Sequence, residues 1–154
     1  MPIEIERKYL VIGTDWKDTA TGTRLSQGYL TKDPERSVRV RVAADKAFLT
    51  IKGASRGIAR QEFEYPIPLN DAEKLLSLCL PEIITKTRYV VETNRHRWEV
   101  DEFHGANEGL VIAEIELDSE FDSVELPAWI GQEVSDDPRY YNASLSQLPY
   151  SRWS

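Results

Sequence analysis

Residues Ile3 to Val11 alternate apolar and polar side chains, the period-two pattern of a strand with two unlike faces. The same alternation returns over 24–31, 37–42, 47–52, 59–67, 83–91, 97–103 and 110–117. The separators carry turn chemistry: Asp33-Pro34, Ala44-Asp45, the run Gly53 to Gly57, Thr93-Asn94, and the stretch from His104 to Gly109. About eight strands with mostly short connections predict antiparallel pairing. Helical patterns lie between and after them. Asn70-Asp71-Ala72-Glu73 has a capping-box spacing and predicts a helix through Leu80, stopped by Pro81. A second helix is predicted over Leu126 to Ile130 with Val134, a third near Tyr141 to Leu148, and a single turn over Asp15 to Ala20.

Side chains two apart on a strand share a face. Glu4, Glu6 and Lys8 therefore face one way, and Ile3, Ile5 and Tyr9 the other. Arg39 and Arg41 oppose Val38, Val40 and Val42, while Thr50 and Lys52 oppose Leu49 and Ile51. Glu62 and Glu64 face away from Phe63 and Tyr65, and Lys86 and Arg88 share a face. Arg97, Glu99 and Asp101 oppose Trp98 and Val100, and Glu114 and Glu116 oppose Ala113, Ile115 and Leu117.

Two architectures satisfy this parity. One is a sheet with an apolar core face and a wet charged face, the usual arrangement of an antiparallel sheet. The other is a closed barrel with the charges turned inward and short helices covering part of the apolar outside. Same-sign pairs within single strands favour the barrel, because Glu and Lys are poor strand residues and crowded carboxylates repel unless cations sit among them. A charged interior needs water, ions or a charged ligand to offset desolvation. Carboxylates are hard ligands for Mg²⁺ or Mn²⁺, and Lys and Arg suit phosphate oxygens. Together they spell a metal–polyphosphate site.

Composition narrows the setting. With 154 residues the chain is expected to form one domain spanning 1–154, of mainly β (α+β) class. No apolar run approaches the ~20 residues of a membrane-spanning helix, and the N-terminus is too charged for a signal peptide. One cysteine, Cys79, excludes an internal disulfide. A cytoplasmic location is expected. The net charge of −7 makes nucleic acid a poor partner, since binding there rests on neutralising phosphates.

The sequence also resembles a known family. Glu4-Ile5-Glu6-Arg7-Lys8 is similar to the ExExK signature of the CYTH superfamily, the triphosphate tunnel metalloenzymes, in their small bacterial form. The likeness continues through Gln27-Gly28-Tyr29-Leu30, Val38-Arg39-Val40-Arg41, Thr50-Ile51-Lys52-Gly53, Glu62-Phe63-Glu64 and Lys86-Thr87-Arg88. It runs on through Val100 to Gly105, Ala113-Glu114-Ile115-Glu116, Leu126 to Val134 and Asp137 to Asn142. The resemblance implies a closed eight-stranded antiparallel tunnel that binds triphosphate with Mg²⁺ or Mn²⁺. It implies that Glu4, Glu6, Glu114 and Glu116 hold the metal, and that Asp101 orients a cation or shares in metal binding. Glu62 and Glu64 would serve a second metal or the attacking water. Lys8, Arg39, Arg41, Lys52, Lys86 and Arg88 would clamp the phosphates, with Lys8 also acting on the leaving group.

The implied activity is metal-dependent hydrolysis of a triphosphate, inorganic tripolyphosphate first, to pyrophosphate and phosphate. Adenylate cyclase, thiamine triphosphatase, nucleotide triphosphatase and a non-catalytic polyphosphate or nucleotide sensor are the alternatives. The aromatic residues Tyr9, Phe63, Tyr65, Tyr89 and Trp98 lie on the apolar parity, so no base-stacking platform is expected beside the phosphates. The expected partner is a small polyphosphate, without nucleic acid or membrane, and the chain is a monomer or a homodimer. His96 and His104 are expected outside the chemistry, Gly53 to Gly57 as a hairpin turn, and Cys79 as a small core residue. Parity leaves open whether Arg97 and Glu99 line the tunnel or pair with each other, and on which side Tyr29 packs.

Overall fold

A computed structural model describes residues 3–18, 20–79, 83–93 and 95–153. Among them are nine strands: β1 (Ile3–Val11), β2 (Gly22–Thr31), β3 (Arg36–Ala43), β4 (Lys46–Gly53), β5 (Ala59–Ile67), β6 (Ile84–Glu92), β7 (Arg97–Phe103), β8 (Val111–Glu116) and β9 (Ile130–Glu133). Their order is β5-β4-β3-β2-β6-β7-β8-β1-β9, and β5 also pairs with β1. That last antiparallel contact sets Ile3, Glu4 and Ile5 against Gln61, Arg60 and Ala59. It closes the first eight strands into an antiparallel barrel and decides against the open sheet. Only the start of β1 makes the closure. Its far end, at Tyr9 and Val11, takes β9 as its neighbour instead.

The apolar parity lies outside and is covered locally. On one side Tyr9, Trp98, Val100, Ala113 and Ile115 pack with Trp16 and Ile130. Trp98 is fully buried, its ring edge-on to Tyr9 at 5.5 Å and to Trp129 at 5.8 Å. Such edge-to-face pairs add about 0.5–1.5 kcal/mol beyond the area they bury. On another side α1 (Leu69–Leu78) lays Ala72, Leu75 and Leu76 over Val40 and Ala47. Gly28 permits that approach: a Cβ there would stand 2.6 Å from Ile83 Cδ1 and 2.9 Å from Cys79 Cβ. Cys79 packs into the same cluster.

Inside, the barrel is charged for only part of its length. Ile84, Phe103 and Ile112 share the parity of Lys86, Asp101 and Glu114, yet they cluster with Leu110 and Leu145. Leu145 belongs to α2 (Asn142–Leu145), a single turn that caps this end and stacks Tyr140 and Trp153 behind it.

The secondary structure departs from the sequence pattern in three places. The segment expected as a helix over 126–134 is extended: Ile130–Glu133 forms β9 and adds to β1. Its apolar residues fit a helical spacing, but pairing with the free length of β1 and packing of Trp129 on Trp16 and Trp98 override it. Helix α1 begins at Leu69 with Pro68 before it, ahead of the expected Asn70 cap. The helix expected near 141–148 is only the turn Asn142–Leu145. The expected run to Leu80 with its stop at Pro81, and Asn94 of the 93–94 turn, lie outside the described residues.

Candidate active site

Strand parity delivers one wall after another to a single cavity of about 550 Å³. Strand β1 contributes Glu4, Glu6 and Lys8, β3 contributes Arg39 and Arg41, β4 contributes Lys52, and β5 contributes Glu62 and Glu64. Strand β6 adds Lys86 and Arg88, and β8 adds Glu114 and Glu116. The register places opposite charges side by side: Lys8 beside Glu114, and Lys52 beside Glu62. It also places Glu6 beside Glu116, and Glu99 beside Glu114.

Lys8 Nζ lies 3.2 Å from Glu114 Oε1 and 3.7 Å from Glu6 Oε1. Lys52 Nζ stands 2.8 Å from Glu4 Oε2 and 3.3 Å from Glu62 Oε2. Glu4 Oε2 is nevertheless buried without hydrogen-bond geometry to any partner. Arg41 Nη2 donates to Glu64 Oε1 at 3.2 Å, and Arg39 Nη2 to Thr50 Oγ1 at 3.3 Å. The Nε atoms of both arginines are buried and unpaired. Two guanidiniums that the protein leaves partly unsatisfied, facing one cavity, are prepared for an anion.

Asp101 sits elsewhere. It is fully buried and does not reach the cavity surface. Arg88 Nε and Nη2 donate to its two oxygens at 2.8 and 2.9 Å, and Lys86 Nζ lies 2.8 Å from Oδ2. With both oxygens taken, Asp101 stands behind the two cations and aims them. A ligand's place on a metal, one of the two roles the resemblance implied, does not fit this geometry.

The electrostatics follow from crowding. Burial, then the Glu114 and Glu4 charges, hold the Glu6 carboxyl well above its usual range against the pull of Lys8. Glu116 is also raised, by burial and by Glu4, Glu6 and Glu99. Burial opposes the charge on Lys8, but Glu114 and Glu6 outweigh it and fix its proton. Burial resists ionisation of Glu114, yet Lys8, Arg88 and Lys86 keep it well below the usual range. Arg41 is lowered to about 10 by burial and by Arg39 and Arg88 beside it. Lys86 is lowered to about 8, burial and Arg88 exceeding the attraction of Asp101. Burial works against Asp101 too, but Arg88 and Lys86 draw it down to about 2.

Among the described residues no three carboxylate, histidine or cysteine groups converge closely enough to form a ready metal cage. Lys8 and Lys52 stand between the glutamates instead. The donor chemistry still fits a hard divalent cation. Every candidate ligand is a carboxylate, one buried oxygen of Glu4 lacks a hydrogen bond, and Glu6 and Glu116 carry repulsion that added positive charge would relieve.

Residues left open by parity find places here. Arg97 and Glu99 both line the cavity, with Glu99 Oε2 3.5 Å from Arg88 Nη1. Tyr29 is buried and lines it as well. His96 Nε2 accepts from the Glu125 backbone N–H, and His104 Nε2 meets Thr87 Oγ1, both away from the cavity. The turn expected over Gly53 to Gly57 is the β4–β5 connection, with Gly57 at φ +61°, and its Ser55 reaches the cavity. Sequence reasoning missed Arg60, Ser135, Tyr141 and Asn142, which also line it. Arg60 shares the parity of Glu62 and Glu64 and was open to detection. The other three lie outside regular strands, where no parity signal exists.

Comparison with known proteins adds four findings. A CYTH domain family model matches residues 2–147. An inorganic triphosphatase of Acetivibrio thermocellus is 50% identical over 151 residues, 97% of each chain. One of Nitrosomonas europaea is 34% identical over 148 residues, covering 93% of this chain and 96% of that one. Among solved structures, the inorganic triphosphatase NE1496 superposes with a TM-score of 0.68 at 33% identity, over 92% of this chain and 96% of the other.

Proposed function

The chain belongs to the CYTH domain family, and from that premise we propose that it is a divalent-metal-dependent inorganic triphosphatase, cleaving tripolyphosphate to pyrophosphate and phosphate. One observation carries the reading: nine cationic side chains and seven glutamates line the same cavity, which a compact polyanion with a metal matches and a neutral substrate does not.

The chemistry is mainly positioning and charge stabilisation. Arg39, Arg41, Lys52, Lys86 and Arg88 bind phosphoryl oxygens. Asp101 locks Arg88 and Lys86 in place from behind. Lys8, whose proton is held by Glu114 and Glu6, neutralises the departing phosphate as a fixed ammonium. Glu62 and Glu64 each give one oxygen to an ion pair, with Lys52 and Arg41, and keep the other to orient a water and take its proton. Glu4, Glu6, Glu114 and Glu116 would hold the divalent cation, Mg²⁺ or Mn²⁺, which supplies neutralisation of charge on the phosphoryl oxygens. Among the described residues no helix is long and apolar enough to cross a membrane; we place the enzyme in the cytoplasm, acting on a small soluble substrate.

A phosphate-release screen over tripolyphosphate, pyrophosphate, ATP and thiamine triphosphate, each with Mg²⁺ and with Mn²⁺, tests the proposal. Tripolyphosphate should exceed ATP in kcat/KM by at least about tenfold, or roughly 1.4 kcal/mol, because the clamp reads phosphates and offers nothing to a nucleoside. ATP turned over equally well, or converted mainly to cyclic AMP, would move the assignment to a nucleotide enzyme.

A further inference from the structure

Asn142 comes to the cavity from the C-terminal segment, as the first residue of α2. Its Oδ1 accepts from Lys86 Nζ at 3.0 Å and from Gln27 Nε2 at 3.2 Å. An ammonium has only protons to offer, so the atom it touches is the amide oxygen, and the orientation of the amide follows from chemistry alone. Gln27 is wholly buried and Lys86 is 1% exposed, so both donors are held in the barrel wall. Asn142 Nδ2, on the other branch of the same planar group, has no acceptor among the described residues and is not buried, and its residue lines the cavity.

We infer that Asn142 Nδ2 donates a hydrogen bond to a phosphoryl oxygen of bound tripolyphosphate, as an uncharged member of the phosphate clamp. The inference rests on reading the cavity as a triphosphate site. A neutral donor has a physical advantage here. Arg39 and Arg88 already repel Arg41, and an amide adds a contact to the anion without adding to that repulsion. The two hydrogen bonds at Oδ1 hold the group so that little freedom is lost when substrate arrives.

The test is steady-state kinetics on tripolyphosphate, with melting temperatures measured alongside. Asn142→Asp keeps an oxygen for Lys86 and Gln27 but turns the donor into an anionic oxygen. Asn142→Ala removes the donor without adding charge. KM should rise at least about tenfold in N142D and severalfold in N142A, with kcat changed less and N142D melting at or near the wild-type temperature. Should N142D fail to fold, N142A alone decides. Unchanged KM in both variants would overturn the inference, since a merely structural Asn142 is replaced by Asp without loss. A rise in N142D alone, with N142A at the wild-type KM, would reveal charge repulsion without donation and overturn it equally. If the wild-type enzyme does not hydrolyse tripolyphosphate, the functional proposal fails first and the inference falls with it.

Discussion

Replacing Asp101 by Asn tests the arrangement behind the clamp. The side chain is wholly buried and is the shared counter-ion of Arg88 and Lys86. Asparagine has nearly the same shape, but one of its branches would point N–H groups at the N–H groups of a buried cation. Two positive charges would then share a dry space without the carboxylate between them, leaving only Glu99 and Glu114 nearby. Two estimates bound the cost. The drop of the Asp101 pKa from 3.8 to about 2 corresponds to about 2 kcal/mol at neutral pH for a group with no solvent exposure. Breaking a buried ion pair by removing one partner costs about 3–5 kcal/mol. Lys86, already lowered to about 8, can shed its proton when Asp101 is gone, which limits the damage. We expect about 3 kcal/mol, or a fall in Tm of roughly 6–12 °C for a chain of this size. Thermal unfolding followed by circular dichroism at pH 7 measures it. The sign with pH is also fixed. A carboxylate with a depressed folded-state pKa stabilises above its unfolded value of 3.8, and that contribution is lost as pH falls toward about 2. The wild-type Tm should therefore drop more steeply than that of D101N between pH 4 and 2. Adding Lys86→Met to D101N should recover part of the loss, since it removes one stranded cation. A D101N protein that melts within about 2 °C of wild type, with the same slope in acid, would refute the counter-ion role.

Glu6→Gln should raise the Tm of the metal-free protein at pH 7: a carboxylate with a raised folded-state pKa costs stability progressively as pH rises above its unfolded value of 4.5, and the gain should vanish below about pH 4, where Glu6 is protonated in the folded and the unfolded chain alike. The same variant should lose turnover. Arg39→Ala should raise KM for tripolyphosphate by at least about tenfold, and unchanged kinetics would mean that Arg39 makes no contact with the anion. Exhaustive chelation should abolish phosphate release, with recovery on adding Mg²⁺ or Mn²⁺, and full activity after chelation would remove the metal from the chemistry.

Period-two parity carried most of the site because a barrel strand offers each side chain only two directions. Once Glu4 is inside, Glu6 and Lys8 follow, and the register brings Glu114 and Glu116 beside them. What parity cannot state is where along the barrel the charge stops. Phe103, Ile84 and Ile112 obey the same alternation as their charged neighbours, yet close one end with Leu145. Nor can it distinguish a side chain that faces a ligand from one that faces its own neighbours. Asp101 has the parity of the lining, but two cations from β6 fold over it and take both oxygens. The misassigned 126–134 segment failed for another reason. A strand of four residues has too few positions to show its period, and its pairing depends on the length of β1 left free beyond β5. The same incomplete closure leaves part of the barrel to be finished by chain that has no strand period. Ser135 follows β9, and Tyr141 and Asn142 stand at α2, so the residues that complete the cavity come from the part of the sequence where alternation is silent. Their positions are set by hydrogen bonds that carry no periodic signal, Tyr141 Oη to the Ser135 carbonyl and Lys86 Nζ to Asn142 Oδ1.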